Sequence, residues 1–576
     1  MKKILLIVML VFNASFLFAQ KWLWGVQPAS GKANVDDEGW ALAKDNFGNM
    51  YVTGWFGDTA VFGKDTLKTA GNSLYTTDVF LAKYDENGNA LWAKQSVGEV
   101  ISRGNGYSVA TDKSNNVYVT GYFQDTINFG PYQLKAFSTY FYVFLVKYDS
   151  NGNVLWAKQS ASTNGGSGSG VSVSTDSWNN VFVTGNFQDN IDFGTFKLTT
   201  PLYGTNVFLT KYDSNGNVLW ATAPSYSTQC DAYGYSVTTD VGGNAYITGS
   251  FENTASFGSN NLTSSAGDAY FIAKYSPSGN VVWAKQSYSS QNATRGYAIT
   301  TDATGYIYAT GIYSGSAVFG ATTLPNTSKE NTFLARYDTA GNIKWVKSGN
   351  ILDNNAWIGY AVTTDMYSNS YIAVGTNGTI NCEIQFGSDI FKLAEGTDPL
   401  LLVKYDSAGN ELCGTIIASG GDDFCGIAAD KKGNLYVGGD LEDTVTLGAD
   451  KIGPLPGASE WVFLAKWQPC NSPVDTTAEP PAPTPCASLF IPQAFSPNKD
   501  GNNDVLYVLG ECIKTMDFII YDRWGNKVFE STNINYGWDG SYKGQPLNTG
   551  SFVYYFKATM QDGAAYEKKG SITLVR

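Results

Sequence analysis

Two stretches of this chain decide its fold: Gly106–Phe123, GYSVATDKSNNVYVTGYF, and Val143–Ser160, VFLVKYDSNGNVLWAKQS. The first alternates small and apolar residues, turns at Asp112, and resumes as a Val/Tyr-rich run. The second is a β-branched and aromatic run, a Ser-Asn-Gly-Asn turn suited to positive φ, and another short apolar run. Together they make a four-stranded meander. The turn aspartate recurs at Asp45, Asp112, Asp176, Asp240, Asp302, Asp365 and Asp430, at intervals of 67, 64, 64, 62, 63 and 65 residues. The chain therefore carries seven copies of one unit.

The seventh copy stops after Trp467, where each earlier copy turns at Gly-Asn and adds a strand. A matching orphan strand, Trp22–Val26, lies near the N-terminus. A linear array does not need that arrangement, whereas a ring closed by its own N-terminus does, because closure hides the last strand edges. The expected fold is all-β: a seven-bladed β-propeller over residues 20–468, with the N-terminal strand completing the last blade. Glycine opens the first strand in six copies (Gly39, Gly106, Gly170, Gly234, Gly296, Gly359), as crowded innermost strands require. A weaker repeat in the spacer, such as Phe129-Gly130 followed by Leu134, predicts a small extra hairpin on each blade.

Composition narrows the function. The 576 residues hold 38 Lys and Arg against 51 Asp and Glu, a net charge of -13, which disfavours nucleic acid as a partner. There is no histidine, so Ser-His-Asp and Cys-His pairs and imidazole metal sites are excluded. Catalysis would rest on carboxylates, lysine, tyrosine or an oxygen-bound metal; no cofactor is called for. Residues 1–19 read as a secretory signal: Lys2 and Lys3, an apolar run from Ile4 to Phe12, and a cleavage point at Ala19-Gln20. A retained membrane anchor is the rival reading, and otherwise membrane contact comes only through secretion or surface attachment.

The Asp-x-Asn-Gly-Asn turns at Asp149 and Asp213 resemble calcium loops in composition but coincide with hairpins, where Asn and Gly serve geometry. The basic residue of the third strand (Lys83, Lys147, Lys211, Lys274, Arg336, Lys404, Lys466) is placed to pair with the first-turn aspartates. Both tight turns are uniform between copies, whereas the links on the opposite rim vary. That rim is the expected binding face, with Tyr226, Tyr288 and Trp357 as contact candidates. Seven cysteines occur; Cys413 and Cys425 read as small buried thiols, and Cys486 with Cys512 is the favoured disulfide.

The strands GN-x-Y-V-T-G-x-F, F-L-A-K-Y-D and G-N-V-L-W-A-K resemble the SBBP family of propeller repeats. Beyond a proline-rich linker at 469–487, residues 488–576 resemble the gliding-motility-associated C-terminal domain, the type B sorting module of type IX secretion. The resemblance rests on Ile491–Asp504 (including Phe495, Pro497, Asn498, Asp500, Gly501, Asn503 and Asp504), Ile520–Phe529 (Arg523, Trp524, Gly525), Gly537–Gly540 (Trp538, Asp539, Gly540) and Gly570–Arg576. It implies an immunoglobulin-like β-sandwich recognised by the type IX translocon, and a source among secreting Bacteroidetes. Asp500, Asn502 and Asp504 form a weak calcium candidate.

The sequence thus points to a secreted or cell-surface, non-catalytic binding or adhesion protein with an extracellular glycan or protein as ligand. The alternatives are a passive structural component and a polysaccharide-acting enzyme using paired carboxylates, for which Asp422, Asp423, Glu383 and Glu330 are the non-repeated acids.

Overall fold

The computed structural model describes residues 20–470 and 491–575, apart from internal stretches of seven residues or fewer. The chain divides into two compact units, one ending at Ser472 and the other beginning at Pro473. The proposed signal segment 1–19 and most of the linker lie outside the described residues.

Among the described residues the first unit holds seven antiparallel sheets, one per copy, six of them four-stranded and the fourth extended to six strands by the next copy's hairpin. In the second copy the strands are Arg103–Thr111, Val117–Gln124, Tyr142–Tyr148 and Val154–Gln159. The seventh sheet runs Phe424–Ala429, Leu435–Leu441, Trp461–Gln468 and then Lys21–Val26, so the N-terminal strand completes it. Trp22 pairs with Trp467 and Val26 with Leu464 across that join. Each first strand is the edge of its sheet and touches the first strands before and after it, and that of the first sheet (Asp37–Lys44) touches that of the seventh. The sheets therefore follow one another in a closed order, with the edges of the first strands facing a common axis. Apolar side chains pack between successive sheets; one buried cluster joins Val52, Phe80 and Ala82 to Tyr436, Val462 and Leu464.

Each first turn is built by its aspartate. Asp45 Oδ1 accepts the N–H groups of Phe47 and Asn49, both at 2.9 Å, while Oδ2 takes the Asn49 amide at 2.7 Å and the Tyr51 hydroxyl at 3.1 Å. Lys83 stands 3.9 Å from the same oxygen and over the Tyr51 ring. Equivalent ion pairs form at Asp112, Asp176, Asp240, Asp302 and Asp430, as the repeat predicted.

A second repeated device crosses the seams between sheets. Trp92, in a fourth strand, donates its indole N–H to the Ser150 carbonyl in the next sheet's hairpin turn at 3.4 Å, and Lys83 donates to the same carbonyl at 2.9 Å. The ring covers Gly152, where a Cβ would come within 3.2 Å of it. Trp156, Trp220, Trp283 and Trp345 repeat the bond and the cover at 3.0–3.2 Å onto Ser214, Pro277, Thr339 and Ser407. Trp24, on the N-terminal strand, does the same to Glu86 at 3.3 Å.

The expected extra hairpins are present in all seven copies, Thr126–Phe129 with Tyr132–Lys135 among them. They also capture the variable links: Val97–Gly98, Ser225–Tyr226, Asn350–Ile351 and the end of Val281–Ser289 each pair with the next hairpin.

One disulfide is present among the described residues, and it joins Cys413 to Cys470. This corrects the reading of Cys413 as a buried thiol. Cys486 and Cys512 lie outside the described residues.

The second unit is also all-β. A five-stranded sheet orders Ala494–Phe495, Ala565–Leu574, Gly550–Met560, Ile513–Tyr521 and Lys527–Ser531, with the first pair parallel. Against it the described residues place a bridge between Leu506 and Trp538 and the pair Ser541–Tyr542 with Gln545–Pro546. Among the described residues these are the parts of the second layer expected of a sandwich. Its core gathers Phe495, Phe518, Trp538, Phe552, Phe556 and Leu574.

Candidate functional site

In every copy the first strand slips register by one residue just after its glycine, or after Phe424 in the seventh. A bulge re-aims the extra side chain and bends the strand. The bulged residues are Trp40, Tyr107, Val171, Tyr235, Tyr297, Tyr360 and Cys425. The second strand must approach closely to allow it: a Cβ on Gly121 would stand 1.8 Å from the Asn105 carbonyl oxygen. First strands end at the aspartate turns; the bulges lie near mid-strand, and the rings they carry contact others toward the opposite, loop-side end of the axis.

The five aromatic residues in this series are half-buried. Trp40 meets Tyr107 of the next sheet edge-on at 5.1 Å, and Tyr235 meets Tyr297 in the same way at 5.1 Å. Tyr107 continues to Tyr122 at 5.3 Å and Tyr122 to Phe141 at 4.7 Å, while Tyr233 stacks on Tyr235. The loop-side mouth is therefore rimmed by two arcs of rings, with Val171 in the gap between them.

Charged groups stand among the rings. Glu38 accepts the Trp55 indole N–H at 3.0 Å, and Arg295 donates to Asp268. Burial pushes Glu252 above its ordinary value, aided by the Asp268 and Asp231 carboxylates and opposed by Arg295. Burial and the neighbouring Tyr297 push the Tyr235 phenol up to about 12. Tyr122 and Tyr297 are also raised, chiefly by burial. These phenols stay protonated near neutrality and serve as hydrogen-bond donors, not bases. The set offers flat faces, donors and acceptors, which suits recognition of a ligand with both apolar faces and polar groups.

The turn-side end of the axis differs. A shallow depression of about 220 Å³ there is lined by Asn46, Lys113, Ser177 and the threonines 111, 175 and 239. Those hydroxyls donate at 2.8 Å to the carbonyls of Lys44, Thr111 and Thr175 of the preceding sheet, so they serve the ring.

The residues expected to bind are not brought together. Trp357 is fully buried, which corrects its reading as an exposed contact: its backbone N–H bonds the Glu330 carbonyl at 2.9 Å and its ring packs with Ile384 and Phe386. Tyr226 is half-buried against another core cluster. Tyr288 alone of the three is largely exposed, paired to Val318 on a hairpin. The aromatic girdle formed by these two arcs sits at a repeated position, whereas the sequence directs attention to the links that vary between copies. The available signal was the residue after each first-strand glycine, aromatic in five copies.

Among the other acids, Glu383 pairs with Lys392 at 2.8 Å, and Asp422 and Asp423 lie outside the described residues. In the Asp149 turn the carboxylate is taken up by Asn151 and Asn153, so the turn reading accounts for it. In the second unit, Phe495 and Trp538 are buried in ring contact at 5.3 Å, Gly525 and Gly540 adopt positive φ, and Asp539 caps Ser541. Pro497 is half-buried, and Arg523 and Trp524 are exposed at a turn tip. Asn498, Asp500, Gly501, Asn502, Asn503 and Asp504 lie outside the described residues, the calcium candidate with them.

Residues 489–574 match the CHU_C type IX secretion signal domain. The protein is accordingly secreted or held at the cell surface, and its C-terminal unit engages the type IX machinery. An uncharacterised WD repeat-containing protein of Acanthamoeba polyphaga mimivirus is 28% identical over 414 residues, covering 58% of this chain and 29% of that protein. The chain thus spans under a third of that relative. Among solved structures, the extracellular domain of the one-component system BT4673 from B. thetaiotaomicron aligns over 96% of this chain and 98% of its own, at 11% identity and a TM-score of 0.20. The phage phi92 endosialidase aligns over 95% and 87%, at 10% identity and a TM-score of 0.36. Likeness at that level bears on neither activity nor ligand.

Proposed function

We propose that the repeat unit is a non-catalytic binding module that takes an extracellular glycan or protein at the loop-side mouth, and that the C-terminal unit delivers it there. One observation carries this reading: a bulge in each first strand holds an aromatic ring only partly buried at the mouth in five of seven sheets. Aromatic residues ordinarily gain more from full burial than from a wet channel, so five held partly open favour a contact role over packing. No nucleophile held against a base stands among the described rim residues, which favours recognition over turnover. Signal-directed export before type IX passage, and SBBP-type ancestry of the repeats, belong to the same proposal.

The test is binding of the exported protein to a printed oligosaccharide array and to intact cells. Trp40→Ala with Tyr107→Ala, and separately Tyr235→Ala with Tyr297→Ala, are expected to abolish whatever the native protein binds while leaving thermal unfolding cooperative. Undiminished binding by both pairs would remove the mouth as the site.

A further inference from the structure

We propose that the Cys413–Cys470 disulfide replaces the seam bond that the unfinished seventh copy cannot make, and that it closes this seam only after export. Six seams carry an indole seated on a hairpin glycine of the next sheet, with its N–H on a turn carbonyl. The seam between the sixth and seventh sheets has neither the tryptophan nor the turn glycine. The seventh copy reads Gln468-Pro469-Cys470-Asn471 where the others read Asp/Ser-x-x-Gly, so the glycine that seats the indole is missing.

The sixth copy has changed to match. Cys413 pairs with Lys404 at the position where Trp345 pairs with Arg336 and Trp283 with Lys274, so a cysteine stands in the tryptophan slot. Cys470, two residues past the closing strand, stands where the turn would have begun and bonds to it. The Cys470 N–H also donates to Cys413 Sγ at 3.2 Å. The strand so anchored is the one whose other edge carries Lys21–Val26, so one covalent bond secures the neighbour of the N-terminal clasp.

A tryptophan seam forms in any compartment, whereas this one depends on redox state. Closure is thiol–disulfide exchange: one cysteine thiolate attacks an external disulfide and releases its first thiol, then the second cysteine displaces the other half. Two electrons and two protons pass to the external disulfide, which leaves as two thiols. In the reducing cytosol that step does not proceed to completion. The precursor then holds six seams with the tryptophan fastening and one without it, where the Tyr371 hydroxyl still donates to the Gly433 carbonyl at 3.2 Å, beside the strand that its N-terminus must join.

The test uses the full chain. Maleimide labelling followed by peptide mass spectrometry should tag Cys413 and Cys470 in the cytosolic precursor and neither in the exported protein. Hydrogen exchange of the exported protein should accelerate on reduction by roughly tenfold or more in Lys21–Val26, Glu411–Ala418 and Trp461–Gln468, with the Trp92 and Trp156 seams unchanged. The double variant C413S/C470S should exchange fast there without reductant and show no further response; Trp283→Ala should loosen its own seam regardless of redox state. An already bonded precursor would overturn the timing. A reduced wild-type protein with unchanged exchange in those segments would overturn the latch, and that measurement needs no variant to fold.

Discussion

Trp24 lies on Gly88, with a Cβ there only 3.0 Å from the ring, and its indole N–H reaches the Glu86 carbonyl at 3.3 Å. The two residues belong to the last and first sheets, so a residue near the N-terminus makes the same bond that Trp92 or Trp156 makes deep inside the array. The N-terminal strand supplies more than an edge for Trp461–Gln468: it supplies the seam to the first sheet.

Trp24→Ala is therefore expected to lower stability by about 1–2 kcal/mol, chiefly through the packing its half-buried ring loses on Gly88, since the exposed Glu86 carbonyl can turn to water. Gly88 has φ of +84°, so Gly88→Ala adds a steric clash to a left-handed strain of about 1–2 kcal/mol. Denaturant unfolding of both variants checks this. Because both changes act on one seam, the double variant should cost less than the sum of the singles.

Asp78 gives a pH signature. It is fully buried, and its Oδ1 accepts the Ser96 hydroxyl at 3.0 Å and the Gly98 N–H at 2.9 Å. Burial outweighs those bonds and pushes its pKa up from 3.8 to about 6. Between those values the folded state binds the proton that the unfolded chain releases. Stability from this group is thus full below about pH 4 and is lost as pH rises to 6, by on the order of 3 kcal/mol. The carboxylates of Asp149 and Asp338 act oppositely: burial raises them, but bonds from Asn153 and Asn342 prevail and hold them low, so they lose stability below about pH 4. Two other copies show how to remove the Asp78 effect. Asn206 and Asn331 occupy the matching strand position and donate to the carbonyls of Pro224 and Gly349, each 18 residues on, the same separation as Asp78 to Ser96. Asp78→Asn should fold, and the difference between its stability and the native protein's should grow from pH 4 to 6 and then level off. A constant difference across that range would discard the assignment.

The ring itself was legible because its signals are local and repeated: an aspartate that caps a turn, an Asn-Gly hairpin, and a closing strand short of its hairpin. The girdle and the disulfide were not, because each depends on a relation between distant strands. The bulge at Tyr107 is set by the approach of Gly121, which no single strand reveals. Cys413 and Cys470 are 57 residues apart and meet only because one seam lacks its turn. Trp357 misled for a related reason, since a variable link looks exposed until the strand holding Glu330 captures its backbone. Tyr226 was captured likewise by the next hairpin.

The C-terminal unit separates folding from recognition in two tryptophans. Trp538 is buried between Phe495 and Phe552, at 5.3 and 4.8 Å, and donates to the Ser541 carbonyl at 2.9 Å. Trp538→Ala should cost about 3–5 kcal/mol and block secretion by unfolding the unit. Trp524 is 75% exposed on the Asp522–Asn526 turn, with the Arg523 guanidinium 4.9 Å from its ring. Asp522 holds that turn through Asn526, so the two exposed side chains contribute little to folding. Trp524→Ala should leave stability within about 0.5 kcal/mol. If the tip is where the type IX machinery grips, the variant will nonetheless accumulate inside the cell while melting like the native protein. Fractionation of cells and medium, paired with thermal unfolding of the retained protein, distinguishes the two failures. Secretion of Trp524→Ala at the native level would move recognition from the tip to the sheet face or the Asp539 turn.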